Sequence, residues 1–171
     1  AMRKGKFRPV EEAVSEAHYA ILEEEAAGAG FEHYEVSNYA LPGFRARHNA
    51  SYWHGTKYLG IGPAAHSFDG EERHWNASSV EKYIAGAPAG KEVLTRRDRF
   101  NEYVMTALRT VEGIDLEEAA ARFGAKRLAR MQEEAAPFLR SGTLRIARGR
   151  MALPPEKFLI SDAVIGALFE T

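Results

Sequence analysis

"GFEHYEVSNYALPGFRARHNASYWHGTKYLGIGPAAHSF", Gly30 to Phe68, is the stretch from which the fold is read. Its first part, "FEHYEVSNYA", is rich in aromatic and β-branched residues and reads as a strand, ended by the Pro42–Gly43 turn signal. Upstream, Pro9 and the acidic pair Glu11–Glu12 open a helix, and Val14, Ala17, Ile21 and Leu22 follow the i, i+3, i+7, i+8 spacing of one buried stripe. Gly28 and Gly30 stop it. A helix followed closely by a strand is half of an α/β repeat. Partner strands are scarce. Leu59 and Ile61 in "KYLGIG" supply one more short strand, so the sheet is expected to be an edge cut from something larger.

From Arg47 to Phe68, three histidines, three tyrosine or tryptophan side chains and three glycines fall within twenty-two residues. Four of the six histidines (His48, His54, His66 and His74) cluster here and just beyond, but their intervals of six, twelve and eight fit no HxxxH or HxxEH zinc pattern. A lone imidazole can instead ligate haem iron, donate to a bound anion or carry a proton near neutral pH; a purely structural ring is the ordinary alternative. His48 has Asn49 beside it and Tyr52–Trp53 one turn on, which sets flat apolar surfaces next to a ligating nitrogen, although the same rings serve equally well as core. "GIGPAAHS" has only two of the three glycines of a dinucleotide fingerprint and no Rossmann unit around it, yet those glycines permit close backbone approach to a ligand. Ser51, His66 and Ser67 form no hydrolase triad, because "GxSxG" is absent and the spacing places no acid.

Downstream the pattern changes. Ser78 or Ser79 caps a short helix carrying Val80, Tyr83 and Ile84, and "GAPAG", Gly86 to Gly90, reads as a linker that puts a boundary near 86–94. Thr95 with Asp98 then starts a helix that buries Phe100, Val104, Ala107, Leu108 and Val111 and ends at Gly113. Asp115 with Glu118 repeats the cap for "LEEAAARF", ended by Gly124. A third helix runs from about Ala125 to Arg140 with Leu128, Met131, Phe138 and Leu139 inward, and Pro137 is expected to bend or interrupt its last turn. "TLRIARGRMAL" alternates Leu144/Ile146 and Met151/Leu153 around Gly149 as a β-hairpin, and a last helix from about Ser161 to Phe169 buries Val164, Ile165, Leu168 and Phe169. Three helices followed by a hairpin is the order of a winged helix-turn-helix. Arg145, Arg148 and Arg150 on the hairpin, with Arg122, Lys126, Arg127 and Arg130 before it, are what a DNA-binding module would carry. Glu133 and Glu134, and a single Gln132 able to read base edges, argue against that use.

Composition sets the outer bounds. With 171 residues, 45% hydrophobic and 27% charged, the chain is an ordinary globular protein large enough for one good core or two small ones. The net charge of −1 hides an asymmetry: from residue 121 onward nine Lys/Arg face five Asp/Glu. No apolar run approaches the ~20 residues of a membrane helix and no secretory leader is visible, so a cytoplasmic location is expected. Ala1 before Met2 reads as a cloning scar, and the chain as a truncated piece. The absence of cysteine excludes disulfides, thiolate zinc, iron–sulfur ligation and a cysteine nucleophile within this chain.

Residues 30 to 68 as one unit, through "YEVSNYA", "HNASYW" and "YLGIGPAAHSF", strongly resemble the C-terminal half of HemW-type radical SAM proteins, haem chaperones also described as oxygen-independent coproporphyrinogen III oxidase-like. The resemblance implies an α+β fold: the C-terminal edge of a radical SAM partial (β/α) barrel over residues 2–90, then a helical, winged-helix-like domain over 91–171. It implies that haem or another porphyrin is bound and passed to recipient haemoproteins, with a homodimer and a peripheral membrane contact of the parent admitted and no nucleic acid. The family's HNxxY motif, associated with haem binding, is present as His48, Asn49 and Tyr52, and His48 becomes the candidate haem-iron ligand. Gly60, Gly62 and His66 fall where related oxidases approach S-adenosylmethionine. Where the family has a glycine this chain has Ala64 or Ala65.

The departure from the family lies in the cluster. Radical SAM enzymes hold a four-iron, four-sulfur cluster through CxxxCxxC, and this chain has no cysteine. The cluster and S-adenosylmethionine chemistry are therefore expected only in the full-length parent. This chain alone is expected to be inactive, without catalytic residues of its own, and its barrel edge to be covered by a second copy in a crystal or else poorly ordered. A coproporphyrinogen oxidase fragment and a winged-helix nucleic-acid module remain the alternatives.

Overall fold

The computed structural model describes residues 10–88 and 90–171; Pro9, the expected helix opener, lies outside them. The chain is α+β, and the described residues form three small antiparallel sheets set among seven α-helices. α1 (Glu12–Gly28) precedes a hairpin of β1 (Glu32–Glu35) and β2 (Asn38–Ala40). The expected single strand over 31–40 is thus folded in two. Asn38 donates its amide to the Glu35 carboxylate across the turn, a local polar bond that the aromatic and β-branched composition did not reveal.

The apolar stripe of α1 is not buried. Val14, Ile21 and Leu22 are 41%, 58% and 51% exposed. The opposite side, Tyr19, Glu23 and Ala26, is the partly covered one. Tyr19 donates its hydroxyl to the Pro155 carbonyl at 3.3 Å, and the Tyr39 hydroxyl donates to Glu23. His33, buried and stacked on Tyr39 with ring centroids 4.1 Å apart, places Nδ1 2.8 Å from the same carboxylate, off the line of a hydrogen bond. Polar contacts, not hydrophobic periodicity, decide which face of α1 turns inward.

The free edge of β1 has a partner seventy residues downstream. The Val36 N–H donates to the Arg109 carbonyl at 2.9 Å, the Val111 N–H donates to the Tyr34 carbonyl at 3.1 Å, and Glu35 bridges Thr110. The strand expected in "KYLGIG" is absent: Tyr58 alone bridges Phe68, while Leu59 and Ile61 are 80% and 82% exposed. Instead β3 (His66–Phe68), β4 (Glu72–Trp75) and β5 (Gly90–Val93) form an antiparallel meander. Strands of three or four residues written "HSF", "ERHW" and "GKEV" are too short and too polar to show a period. Between them Ser79 caps α3 (Val80–Ile84), accepting the Lys82 N–H as expected. The division expected after residue 90 falls at the first residue of β5.

From Thr95 onward the sequence and the fold run in step. α4 (Arg96–Leu108) opens with a capping box between Thr95 and Asp98, and buries Phe100, Val104 and Leu108. The Thr95 hydroxyl and N–H both hydrogen-bond the Asp98 carboxylate and hold its pKa below the usual range. β6 (Ile114–Asp115) leads into α5 (Leu116–Phe123), where Asp115 accepts the N–H groups of Glu117 and Glu118. α6 (Ala125–Arg140) continues through Pro137 without interruption. Only one hydrogen bond is lost there, from the missing N–H to the carbonyl four residues back, and Phe138 and Leu139 beyond it still pack on the core.

β7 (Arg145–Ala147) and β8 (Arg150–Ala152) form the hairpin, with β6 added on the outer side of β8 in the order β6-β8-β7. A 3₁₀ turn (Pro155–Ile160) and α7 (Ser161–Ala167) close the chain. The core is one cluster assembled entirely from residues 100 to 168, including Phe100, Leu108, Ile114, Met131, Met151, Phe158 and Leu168.

Candidate functional site

α2 (Arg47–Trp53) carries the first group of expected site residues. His48 and Tyr52 are one helical turn apart on the same face, so their rings meet edge to face with centroids 5.1 Å apart, and the Tyr52 hydroxyl lies 3.4 Å from His48 Nε2. Both are exposed, as is Asn49 on an adjoining part of the helix surface. Tyr52 in turn meets Tyr58 at 5.0 Å, and Tyr58 leads to Phe68 at 6.1 Å while exchanging backbone hydrogen bonds with it. A row of rings therefore runs from the helix to β3.

The second group is the glycine loop. At Gly60 a Cβ would stand 2.1 Å from the His66 carbonyl oxygen, so no side chain fits there, and Gly62 sits at φ +109, a conformation costly for any other residue. Ala64 accepts φ +58 without that freedom, at a cost of about 1 kcal/mol. Sequence reasoning did not find the side chains that fasten this loop. Asn76 donates to the Gly60 and Gly62 carbonyls at 3.2 and 2.9 Å, Ser67 accepts the Gly60 N–H at 2.9 Å and Tyr83 accepts the Gly62 N–H at 3.1 Å. The backbone donors that would cradle an anion are already in use. What the loop offers a ligand is the exposed His66 ring, tilted against Trp75 at 6.0 Å, and the exposed Ile61.

The two groups are joined through Tyr58 and Phe68. Beside that row opens a cavity of about 460 Å³ between α2, the β3–β4 region and the start of the core domain. Tyr52 is the single expected site residue that lines it. The other aromatic walls are Trp53, Tyr58, Phe68 and Tyr103. Burial, with Glu118 nearby, pushes the Tyr103 phenol up to about 12, so it stays neutral and donates to the Asp115 carbonyl at 3.2 Å. Four arginines also line the cavity, and the sequence signal for them was diluted among twenty-three basic residues. Arg73 pairs with Glu102 at 2.7 Å; burial works against its charge, but that carboxylate outweighs it and raises its pKa.

Asp69, Glu72 and His74 bring ligand atoms within 4.8 Å of one another on the meander. Their duties are local: Asp69 accepts the Glu72 and Glu71 N–H groups, which lower its pKa, and Glu72 faces both His74 and Lys91. No helix among the described residues is long and apolar enough to cross a membrane.

Residues 94–160 match the family model of the HemN C-terminal domain. The heme chaperone HemW of Mycobacterium tuberculosis is 34% identical over 173 aligned residues, covering 98% of this chain and 42% of its own length. The heme chaperone HemW of Lactococcus lactis is 34% identical over 125 residues, 71% of this chain and 33% of the relative. Among solved structures, the coproporphyrinogen III oxidase HemN of Escherichia coli, described as a radical SAM enzyme, superposes with a TM-score of 0.65 at 18% identity over 87% of this chain and 40% of that one. The chain thus spans about a third to two fifths of the length of these relatives.

Proposed function

From the premise that this chain is a relative of HemW-type radical SAM proteins and corresponds to their C-terminal part, we propose that it is the haem-handling portion of a haem chaperone, which binds haem and passes it to haemoproteins in the cytoplasm. One observation carries the reading: the exposed imidazole of His48 stands against Tyr52, which lines an aromatic-walled cavity. A haem chaperone needs an iron ligand that is reachable from solvent, because its cargo must leave again. His48 and Tyr52, with Asn49 beside them, meet that need. The Tyr52 hydroxyl engages Nε2 or releases it as the ring is required, and the flat rings of Tyr52 and Tyr58 give a porphyrin face something to stack on.

The parent's cluster does not fit this chain, which offers no thiolate to iron. Gly60, Gly62 and His66 belong to the reading as a wall near S-adenosylmethionine in the parent. With their backbone donors taken by Ser67 and Tyr83, His66 supplies the contact.

The winged-helix reading of the second half is supported by its order of elements, α4–β6–α5–α6–β7–β8 with the strands arranged β6-β8-β7. Its use on nucleic acid is not. Of the seven basic residues that motivated it, Arg122, Arg127, Arg145 and Arg150 already face Glu118, Glu170, Glu156 and Asp115. A fragment of an oxygen-independent coproporphyrinogen III oxidase is the second reading, favoured by the HemN C-terminal family match, and anaerobic turnover of the intact parent separates the two.

The test of the first is a hemin titration of the intact protein followed in the Soret band. A saturable complex is expected, with His48→Ala shifting the band and weakening binding at least about tenfold, the scale of one lost metal or charge-assisted contact. A wild-type protein that gives no saturable complex ends the proposal.

A further inference from the structure

The charges around the cavity do not balance. Its three carboxylates each have a cation already: Glu102 with Arg73 at 2.7 Å, Glu118 with Arg122 at 2.7 Å, and Glu112 with Arg45 at 2.7 Å. Of its four arginines, Arg150 faces Asp115 at 3.1 Å and two more belong to those pairs. Arg99, in the first turns of α4, is the fourth, and it has no carboxylate within ion-pair distance among the described residues although it is half-buried. Elsewhere in the lining, Trp53 keeps a buried indole N–H with no acceptor among the described residues. A guanidinium held partly out of water without a counterion is a site that gains from an anionic acceptor. The surrounding surface selects the rest of the ligand: Tyr52, Tyr58, Phe68 and Tyr103 offer ring faces, and a volume of about 460 Å³ suits one small molecule.

We propose that this cavity takes the carboxylate-bearing edge of a planar aromatic ligand, with Arg99 as the carboxylate's partner. The inference rests on the haem-handling reading, and on that reading the ligand is a porphyrin whose propionates enter the cavity while His48, outside its lining, addresses the metal. Two contacts of different chemistry then hold one molecule. The ring-face wall and Arg99 recognise the porphyrin whether or not it carries iron. The imidazole recognises the iron alone.

That separation supplies the experiment. Intact wild-type protein and its Arg99→Met, Arg99→Lys and His48→Ala variants are titrated with hemin by Soret absorption, and with metal-free protoporphyrin IX and its dimethyl ester by fluorescence quenching. Arg99→Met is expected to weaken hemin and protoporphyrin alike by about tenfold, as loss of a charge-assisted hydrogen bond does, leaving the Soret position unchanged. Arg99→Lys should recover part of that loss, which shows that charge and not a folding defect is being read. The ester, lacking the carboxylates, should bind wild type and Arg99→Met equally. His48→Ala should weaken hemin and leave protoporphyrin untouched. If wild type binds hemin and Arg99→Met binds all three ligands as tightly as wild type does, the cavity assignment is overturned and the haem-handling reading stands. If wild type binds neither hemin nor protoporphyrin, both fall.

Discussion

The residues before Leu94 and those after it are held together by different forces. The second region supplies every buried member of the hydrophobic cluster, with Val36 of the first packed against it; among the described residues of the first, only His33, Tyr34, Glu35 and Ala40 are buried. The exposed large hydrophobics are distributed the opposite way: of seventeen among the described residues, fourteen lie at or before Val93. The first region is instead fastened at points, by Tyr19 and Tyr39 on the α1 side, by Arg45 reaching Glu32 and Glu112, and by Asn76 at the glycine loop. Bulk burial makes the second region a scaffold. Point fastening leaves the first region with rings, loops and an apolar helix face available for other molecules, which is where every expected site residue lies.

Three measurements would break or sharpen that contrast. The largest effect belongs to the core. Leu108 is fully buried, so Leu108→Ala should cost about 2 to 5 kcal/mol in a denaturant titration, whereas Ile21→Ser on the exposed face of α1 should stay within about 0.5 kcal/mol. Comparable losses from both would erase the distinction.

Next comes a fastening point. Gly60→Ala forces a methyl against the His66 carbonyl and should cost about 1 to 3 kcal/mol, with amide exchange accelerating around residues 58–68. Gly28→Ala, with open space around it, should be neutral or slightly stabilising. A neutral Gly60→Ala would mean the loop is not pinned.

The smallest effect is alkaline. Burial, with Glu23 adding to it, pushes the Tyr19 phenol from 10.0 up to about 12, so the folded state favours its protonated form. Its contribution is complete below pH 10 and is lost as pH rises from 10 toward about 12, when α1 should lose its hold on the Pro155 carbonyl. Helical circular dichroism should fall in that window in wild type and less in Tyr19→Phe; identical profiles would remove Tyr19 as a fastener.

Legibility in the sequence followed the same divide. Thr95, Asp98, Asp115, Phe100, Val104 and Leu108 could be placed because capping and helical periodicity are local signals, and the elements they define pack on one another. The inward face of α1 could not, because its contacts at Glu23 and Tyr19 come from Tyr39, His33 and Pro155, and nothing in a 3.6-residue period announces them. The hairpin turn at Val36–Ser37 was hidden by strand-like composition on both sides, and the meander by strands of three and four residues. At the candidate site, the meeting of His48 with Tyr52 follows from i, i+4 spacing. The sharing of one cavity by Arg99, Trp53 and Tyr58 does not, because only tertiary structure brings α4 beside α2.

The hydrogen bonds between Tyr34, Val36, Arg109 and Val111 join the two regions by peptide groups rather than by side chains. Such a seam calls on no particular side chain, so any residue but proline at Val36 and Val111 keeps the donors that make the joint. The same seam sets a limit for anyone dissecting the protein: a piece expressed from Thr95 onward would carry the Arg109 carbonyl and the Val111 amide stripped of their mates, and would need solvent to replace them.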